Sequence, residues 1–397
     1  MIVHISSPAT FHALDLARQM ARLGHLGKFY TGLPPWMTPG LPEERVCRQP
    51  LLLAPHYVAR KLHSHRLQQA LGWPIAELFD LWLASQVASC DVFHCLSGVG
   101  LRAHRAAKRR YGAITVCDRG SSHIAYQDDM LREEFERWGM PYHGTDPRVI
   151  EKEQLEYEEC DLITVPSEFV RRSFIERGIP SAKVAKIPYG VELREFHPVA
   201  KQDKTFRVLY VGQIAIRKGI PYLLEALATL RVANFELILI GTLLPEAKSF
   251  LARYGEGFKY LGPKPRAELY HYYSQASVFV IASIEEGLAM VMAQAMACGL
   301  PVIATTNTGA EDLFTDGVEG FIVPIRNPEA IREKVLYLCE NPEVREQMSQ
   351  AALRRVQAIG GWDTYGGSAA AVYANALGQR QGAARQQSSK IIVERCG

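Results

Sequence analysis

The chain has 397 residues, of which 48% are hydrophobic and 22% charged, with a formal net charge of +3. That is too much chain for one hydrophobic core, so two or three domains are expected. So small a net charge argues against nucleic acid as a partner. No apolar run is long enough to span a bilayer. The eight cysteines are scattered and none forms C-x-x-C, the pattern of reduced thiols in a cytosolic protein without structural zinc.

The opening, MIVHISSPATFHALDLARQM, has no basic segment or cleavage site and reads as a buried strand followed by a helix. Strands are expected at Ile2–Ile5, Val92–Leu96, Ile114–Cys117 and Leu162–Val165. Helices are expected at Ala13–Leu23, Gly100–Arg110 and Ser167–Arg177, which makes an alternating α/β series. Six prolines between residues 31 and 60 mark an irregular excursion, read as a functional loop. Through residue 110 there are 13 Lys and Arg against six acids. A basic half of this kind suits an anionic acceptor or peripheral contact with anionic lipid at the cytoplasmic membrane face. A solvated helix face is the simpler reading.

A second alternating series starts near Thr205, where RVLYVG, ELILIG, FKYLG, VFVIAS and PVIATT each end in Gly, Ser or Thr. The fold expected is α/β, two doubly wound Rossmann-like domains facing a central cleft. The boundaries read as 1–197 for the first domain and 198–361 for the second. A late helix, 362–377, precedes a polar, low-complexity tail, 378–397, read as disordered.

Two stretches carry chemistry. In SIEEGLAMVMAQAMACG a strand ends at Ser283, a tight loop holds Glu285, Glu286 and Gly287, and a helix runs from about Leu288 to Cys298. Free N–H groups of Gly287, Leu288, Ala289 and Met290 at such a helix start would bind an anion. Glu286 there would repel a diphosphate, so its task is a different one, such as bonding sugar hydroxyls. In VLYVGQIAIRKG the strand ends at Gly212 and Gln213, and Arg217-Lys218-Gly219 opens a further helix. Two cations at a helix start oppose the local dipole, which makes sense if a strong anion is the partner. A surface glutamate and a solvated basic turn are the bland alternatives; both stretches pointing into one cleft weigh against them.

These stretches resemble the retaining glycosyltransferases of the GT-B fold, family 4, also called glycosyl transferases group 1. The resemblance is strong from about Asp161 to Tyr373 and loose before that. E-G-L-A-M-V-M-A-Q followed by A-M-A-C-G-L-P-V-I-A is similar to the family's Glu-x7-Glu segment. Glu286 falls on the first acid, which contacts the donor sugar. Gln294 stands where a second acid bonds ribose, and an amide can serve both edges of a diol. The phosphate-binding G-R-x4-K-G is similar to G-Q-I-A-I-R-K-G, with Lys218 kept, Gln213 in place of Arg, and Arg217 able to supply the charge. Tyr189 stands where Asn is frequent, and WDTYGG…VYANAL resembles a last helix that crosses back onto the first domain. Cys117 replaces a histidine that touches the donor sugar, and His123 is the nearest substitute; His94 reads as a core residue. The turn around Gly262–Lys264 is expected near the base.

The resemblance implies a nucleotide-diphosphate sugar as donor substrate, no cofactor, and a front-face, retaining substitution on a glycan, lipid-linked or small-molecule acceptor. Arg217, Lys218 and the helix start would carry the leaving diphosphate, and no Asp-x-Asp occurs to hold a metal. Envelope polysaccharide assembly is the pathway the family suggests. Two rivals come from other classes. A family relative that only binds glycans or partners would fit Gln213, Gln294 and Cys117. An NAD(P)-dependent oxidoreductase would fit residues 91–119, where DVFHCL, Gly98-x-Gly100-x-x-Ala103 and Asp118 follow the dinucleotide-binding pattern.

Overall fold

The computed structural model describes residues 1–61, 65–192 and 194–396. The first sheet contains β1 (Val3–Ser7), β2 (Leu26–Thr31), β3 (Val46–Arg48), β4 (Val92–Leu96), β5 (Ile114–Asp118), β6 (Leu162–Val165) and β7 (Val184–Lys186). The second contains β8 (Phe206–Val211), β9 (Phe235–Ile240), β10 (Lys259–Tyr260), β11 (Val278–Ile281), β12 (Val302–Thr305) and β13 (Gly320–Val323). Their orders are β3-β2-β1-β4-β5-β6-β7 and β10-β9-β8-β11-β12-β13, parallel throughout. Helices on both faces explain why β1, β5, β11 and β12 are buried along their whole length. Order reverses beside β1 in one sheet and β8 in the other. Each domain therefore opens a crevice at the carboxyl ends of its strands, and the GT-B arrangement expected from the sequence is the one found.

The chain leaves the first sheet after Lys186 and enters the second at Phe206. It returns through Gly360, with φ +84°, into a helix over Trp362–Cys396. That helix lies on the first one, His12–Arg22. A Cβ on Gly366 would stand 2.3 Å from Gln19, so only glycine permits this approach. The helix runs on through the segment from 378, which the sequence pattern reads as a disordered tail. Its Ala, Gln and Arg residues are helix formers despite their low complexity. The 31–60 excursion is also less irregular than expected, since it holds β3, short 3-10 turns and a helix, Ala54–Lys61.

The two domains meet at specific points. Trp138 packs between Tyr222 and Phe250, with ring centroids 5.3 and 5.0 Å away. Arg326 pairs with Glu133 and Glu134, both at 2.7 Å. Lys186 pairs with Asp312 at 2.7 Å. Among the described residues no helix is long and apolar enough to cross a membrane, and Cys47, Cys90, Cys95, Cys117, Cys160, Cys298 and Cys339 are unpaired.

Candidate active site

Both chemistry-bearing loops leave the carboxyl ends of neighbouring strands, β8 and β11, and this places them side by side. Gly219 lies in the left-handed region at φ +66°, where a Cβ would stand 1.8 Å from the Ala282 carbonyl. Only glycine lets the Arg217-Lys218 turn press against the end of β11. Lys218 Nζ consequently forms an ion pair with Glu286 Oε1, and the Ser283 hydroxyl donates to the same oxygen at 3.1 Å. Burial pulls the Lys218 ammonium below its usual range, Arg217 adds to this, and Glu286 offsets part of it. Arg217 Nη1 donates to the Glu285 carbonyl at 2.9 Å and lies 3.3 Å from the Glu285 carboxylate and 3.7 Å from that of Glu286. Two cations and two carboxylates are thus interlocked at the cleft floor.

The helix after this loop is shorter than expected, Met290–Ala297. The Ala289 N–H donates to the Thr308 carbonyl at 3.0 Å, so it is not available to an anion. Among the described residues no acceptor meets the N–H groups of Gly287 and Leu288. Gly287 serves domain contact as well, since a Cβ there would stand 1.7 Å from the Gly120 carbonyl. Gln294 is buried and accepts from the Tyr273 hydroxyl at 3.2 Å. Gln213 has an exposed side chain beside Gly212, and its carbonyl accepts from the Tyr210 hydroxyl at 2.7 Å. Gly262, at φ +67°, follows β10, and its carbonyl accepts from the Gly241 N–H at 3.0 Å.

His123 does not face the cleft. It caps the helix Ile124–Arg137, where its Nδ1 accepts from the Ala125 N–H at 3.3 Å. Its ring packs between Tyr157 and Phe174, at 5.0 and 5.2 Å. Burial, with Arg177 and Arg119 nearby, lowers its pKa to about 4. The open, polar run Gly120-Ser121-Ser122 suggested a histidine reaching outward, but the aromatic side chains behind it hold the imidazole in the domain core. Cys117 is likewise buried, and burial pushes its thiol well above the usual range.

Two features were not read from the sequence. Glu285, fully buried, binds across the cleft to Ser121 Oγ at 2.9 Å, the Ser122 N–H at 3.0 Å, Ser122 Oγ at 2.9 Å and Gln127 Nε2 at 2.7 Å. Burial opposes its charge, but Arg217 and these donors outweigh that and hold its pKa down to about 2. The second feature centres on Asp118 at the end of β5. Its Oδ2 lies 2.5 Å from His12 Nε2 and 3.2 Å from His94 Nε2, and Thr164 Oγ1 donates to Oδ1 at 2.8 Å. The Tyr373 hydroxyl of the returning helix is hydrogen-bonded to His94 Nδ1 at 2.8 Å. The available signal was positional: an acid ending one strand and a histidine opening the helix after another belong to the same sheet edge.

The dinucleotide alternative fails on geometry. The N–H groups of Gly98 and Gly100 donate to the Glu156 carboxyl at 2.5 and 2.8 Å, and those of Arg102 and Ala103 to Asp80, both at 3.0 Å. The chain's own acids fill the place a pyrophosphate would need. Burial and Glu153 push Glu156 up to about 8. The basic helix Leu101–Tyr111 is also less free than its composition implies, since Arg105 pairs with Glu159 at 2.5 Å and Lys108 with Asp161 at 2.6 Å. Among the described residues no group of three or more His, Cys, Asp or Glu side chains is placed to hold a metal ion.

Two doubly wound domains facing one cleft, with paired cations and acids at its floor, define the GT-B fold. The family model for glycosyl transferases group 1 matches residues 192–355, and that for glycosyltransferase family 4 matches residues 9–195. The chain belongs to this family. An uncharacterized glycosyltransferase of Methanocaldococcus jannaschii is 32% identical over 143 residues, 36% of this chain and 40% of that protein. A D-inositol 3-phosphate glycosyltransferase of Kribbella flavida is 28% identical over 223 residues, 50% of this chain and 52% of its own. The chain spans about half the length of these curated relatives. Among solved structures, sucrose-phosphate synthase from Thermosynechococcus elongatus superposes with a TM-score of 0.70 at 20% identity, covering 94% of this chain and 98% of the other. Anabaena HepE in complex with UDP and glucose has a TM-score of 0.64 at 17% identity, covering 94% and 99%.

Proposed function

We propose that this protein transfers a sugar from a nucleotide-diphosphate sugar to a glycan, lipid-linked or small-molecule acceptor, with retention of configuration and without a divalent metal or cofactor. The observation that carries this reading is the Lys218–Glu286–Arg217 cluster between the ends of β8 and β11, facing the first domain. An arriving diphosphate competes with the carboxylates for both cations. Lys218 and Arg217 then hold the phosphates, and the released Glu286 accepts from the donor sugar's hydroxyls. The N–H groups of Gly287 and Leu288 add neutral donors toward the leaving group. Protein cations stabilise the charge that develops on the diphosphate, so the substitution needs no carboxylate nucleophile.

The HepE structure contains UDP and glucose, which makes UDP-sugars the first donors to test. Incubation with a radiolabelled nucleotide-sugar panel and glycan or lipid-linked acceptors should give labelled product with the anomeric configuration of the donor. UDP binding without turnover of any donor would favour a binding protein over an enzyme. We also propose peripheral association with an anionic membrane at its cytoplasmic face, through the exposed cations of the helix Leu101–Tyr111.

A further inference from the structure

The proposed reaction leaves a cavity of the first domain without a task, and its lining points to one. We propose that this cavity receives the aliphatic chain of a lipid-linked acceptor with an anionic head group. This rests on the proposed transfer reaction and names the class of acceptor for it.

The cavity holds about 480 Å³, within the usual range for small-molecule sites. Its walls include residues 8–11, the loop after β1, and Val99, in the loop after β4. The strand order reverses between these two neighbours, so the cavity is the crevice that a doubly wound sheet opens at its carboxyl edge. The Gly98 and Gly100 amides beside it are taken by Glu156, so it offers no phosphate cradle. The helix His65–Gln86 adds Gly72, Ile75 and Ala76 to the lining, and no Asp, Glu, Lys or Arg takes part in it. Such a space suits hydrocarbon, whereas a soluble glycan would leave most of its hydroxyls unpaired there.

Apolar side chains continue from the lining to the surface. Trp36 is 80% and Leu51 78% exposed, and Phe11, Val58 and Leu78 are more than half exposed. Phe11 itself lines the cavity, and the others lie within two residues of Met37, Leu53, Tyr57 and Phe79, which line it too. Single exposed apolar residues are ordinary, but five gathered around one cavity mark a binding surface. Between Arg45 and Ala76 the sequence has five Lys and Arg and no Asp or Glu. Cations interleaved with exposed apolar side chains complement an anionic lipid. One run of contacts joins the cavity to the reacting end. His12 follows Phe11 and bonds Asp118, and the Gly120 carbonyl, two residues on, meets Gly287 beside Glu286. A chain held in the cavity thus leaves its head group on the cleft wall that faces the cation–carboxylate cluster.

Gly72 provides the test. A Cβ there meets nothing within 4 Å, and leucine is the better helix former, so Gly72→Leu takes up cavity space without loss of stability. Hexyl, octyl and decyl phosphate, below their micellar concentrations, are titrated into the full chain by calorimetry, with inorganic phosphate as the control. Affinity should rise with chain length, by up to about fourfold per buried methylene, with one molecule bound per chain. Gly72→Leu should bind decyl phosphate about tenfold or more weakly, at an unchanged UDP affinity and melting temperature. Ile75→Gln, which puts an amide in the lining, should weaken decyl phosphate in the same way. In transfer assays decyl phosphate should raise KM for the acceptor and leave KM for the UDP-sugar unchanged. Affinity independent of chain length, or wild-type binding by both variants, overturns the cavity as a lipid site. A rise in KM for the UDP-sugar alone overturns its assignment to the acceptor. Failure of the wild type to bind UDP or to turn over any donor overturns the transfer reading instead, a result the titration does not report.

Discussion

Glu285 of the second domain accepts hydrogen bonds from the amide and the hydroxyl of Ser122 in the first, at 3.0 and 2.9 Å. One oxygen thus receives donors from the opposite wall of the cleft, while Arg217 balances the charge from its own side. The contact is desolvated, so its strength depends on every donor being present.

Removing that carboxylate should open the cleft. Glu285→Ala leaves Arg217, Ser121, Ser122 and Gln127 without their shared acceptor and should cost about 2–4 kcal/mol. Denaturant unfolding measures the loss, and small-angle scattering should report a larger radius of gyration. A variant as stable and as compact as wild type would show that Glu285 does not hold the domains together.

The same group makes stability depend on acid. Its folded pKa of about 2 lies below the ordinary 4.5. A depressed carboxylate pKa contributes stability that is complete above the unfolded value and is lost as pH falls through the folded one. The difference corresponds to about 3 kcal/mol. Stability should therefore fall from about pH 4.5 to pH 2 in wild type and less steeply in Glu285→Gln, as followed by thermal unfolding.

At the cleft floor, Lys218→Ala should weaken UDP binding by about 1.5–3 kcal/mol, the range for a charge-assisted bond. Glu286→Gln should lose about 100-fold or more in turnover with little change in melting temperature. Calorimetry and steady-state assays separate the two effects. Unchanged UDP affinity in Lys218→Ala would remove the diphosphate from this position.

Turnover should persist in excess EDTA, because the proposed charge stabilisation comes from protein cations. Strict dependence on added magnesium or manganese would require a different leaving-group partner.

The basic helix yields a comparison between pairs of cations. Arg105 and Lys108 are neutralised by Glu159 and Asp161, whereas Arg109 is exposed and Arg110, which donates to the Ala84 carbonyl at 3.0 Å, has no acidic partner among the described residues. Replacing Arg109 and Arg110 with Ser should reduce co-sedimentation with anionic liposomes more than replacing Arg105 and Lys108, and added salt should erase the difference. Wild-type protein that ignores anionic liposomes at low salt would leave the helix as a solvated face.

Local pattern made much of the fold legible. Val92–Leu96 and Leu162–Val165 were placed without error, because a strand buried on both faces is a short apolar run bounded by turn residues. The pairing of Lys218 with Glu286 could be anticipated because both follow strands of one sheet. His123 departs from the sequence expectation because its neighbours in sequence are polar while its neighbours in space, Tyr157 and Phe174, are not. The contacts of Glu285 and Asp118 are not legible in the sequence for a related reason. Their partners lie more than a hundred residues away, at Ser122 and His12, and no period or spacing links them.

The chain passes between the domains twice, and the two passages touch. The Val191 N–H donates to the Gly360 carbonyl at 3.3 Å, and a Cβ on Gly190 would stand 2.4 Å from the Gly361 carbonyl. Two strands of chain pinned at one spot would serve as the pivot of any swing of one half against the other. Points beside a pivot travel little. Tyr189 is next to it in sequence and His12 rests on Tyr189, so such a swing would displace this corner of the cleft least. Lys218 and Glu286 ride on the other half. Each swing would then carry the diphosphate-binding corner toward the one that moves least, and the angle of closure alone would set how far apart they meet.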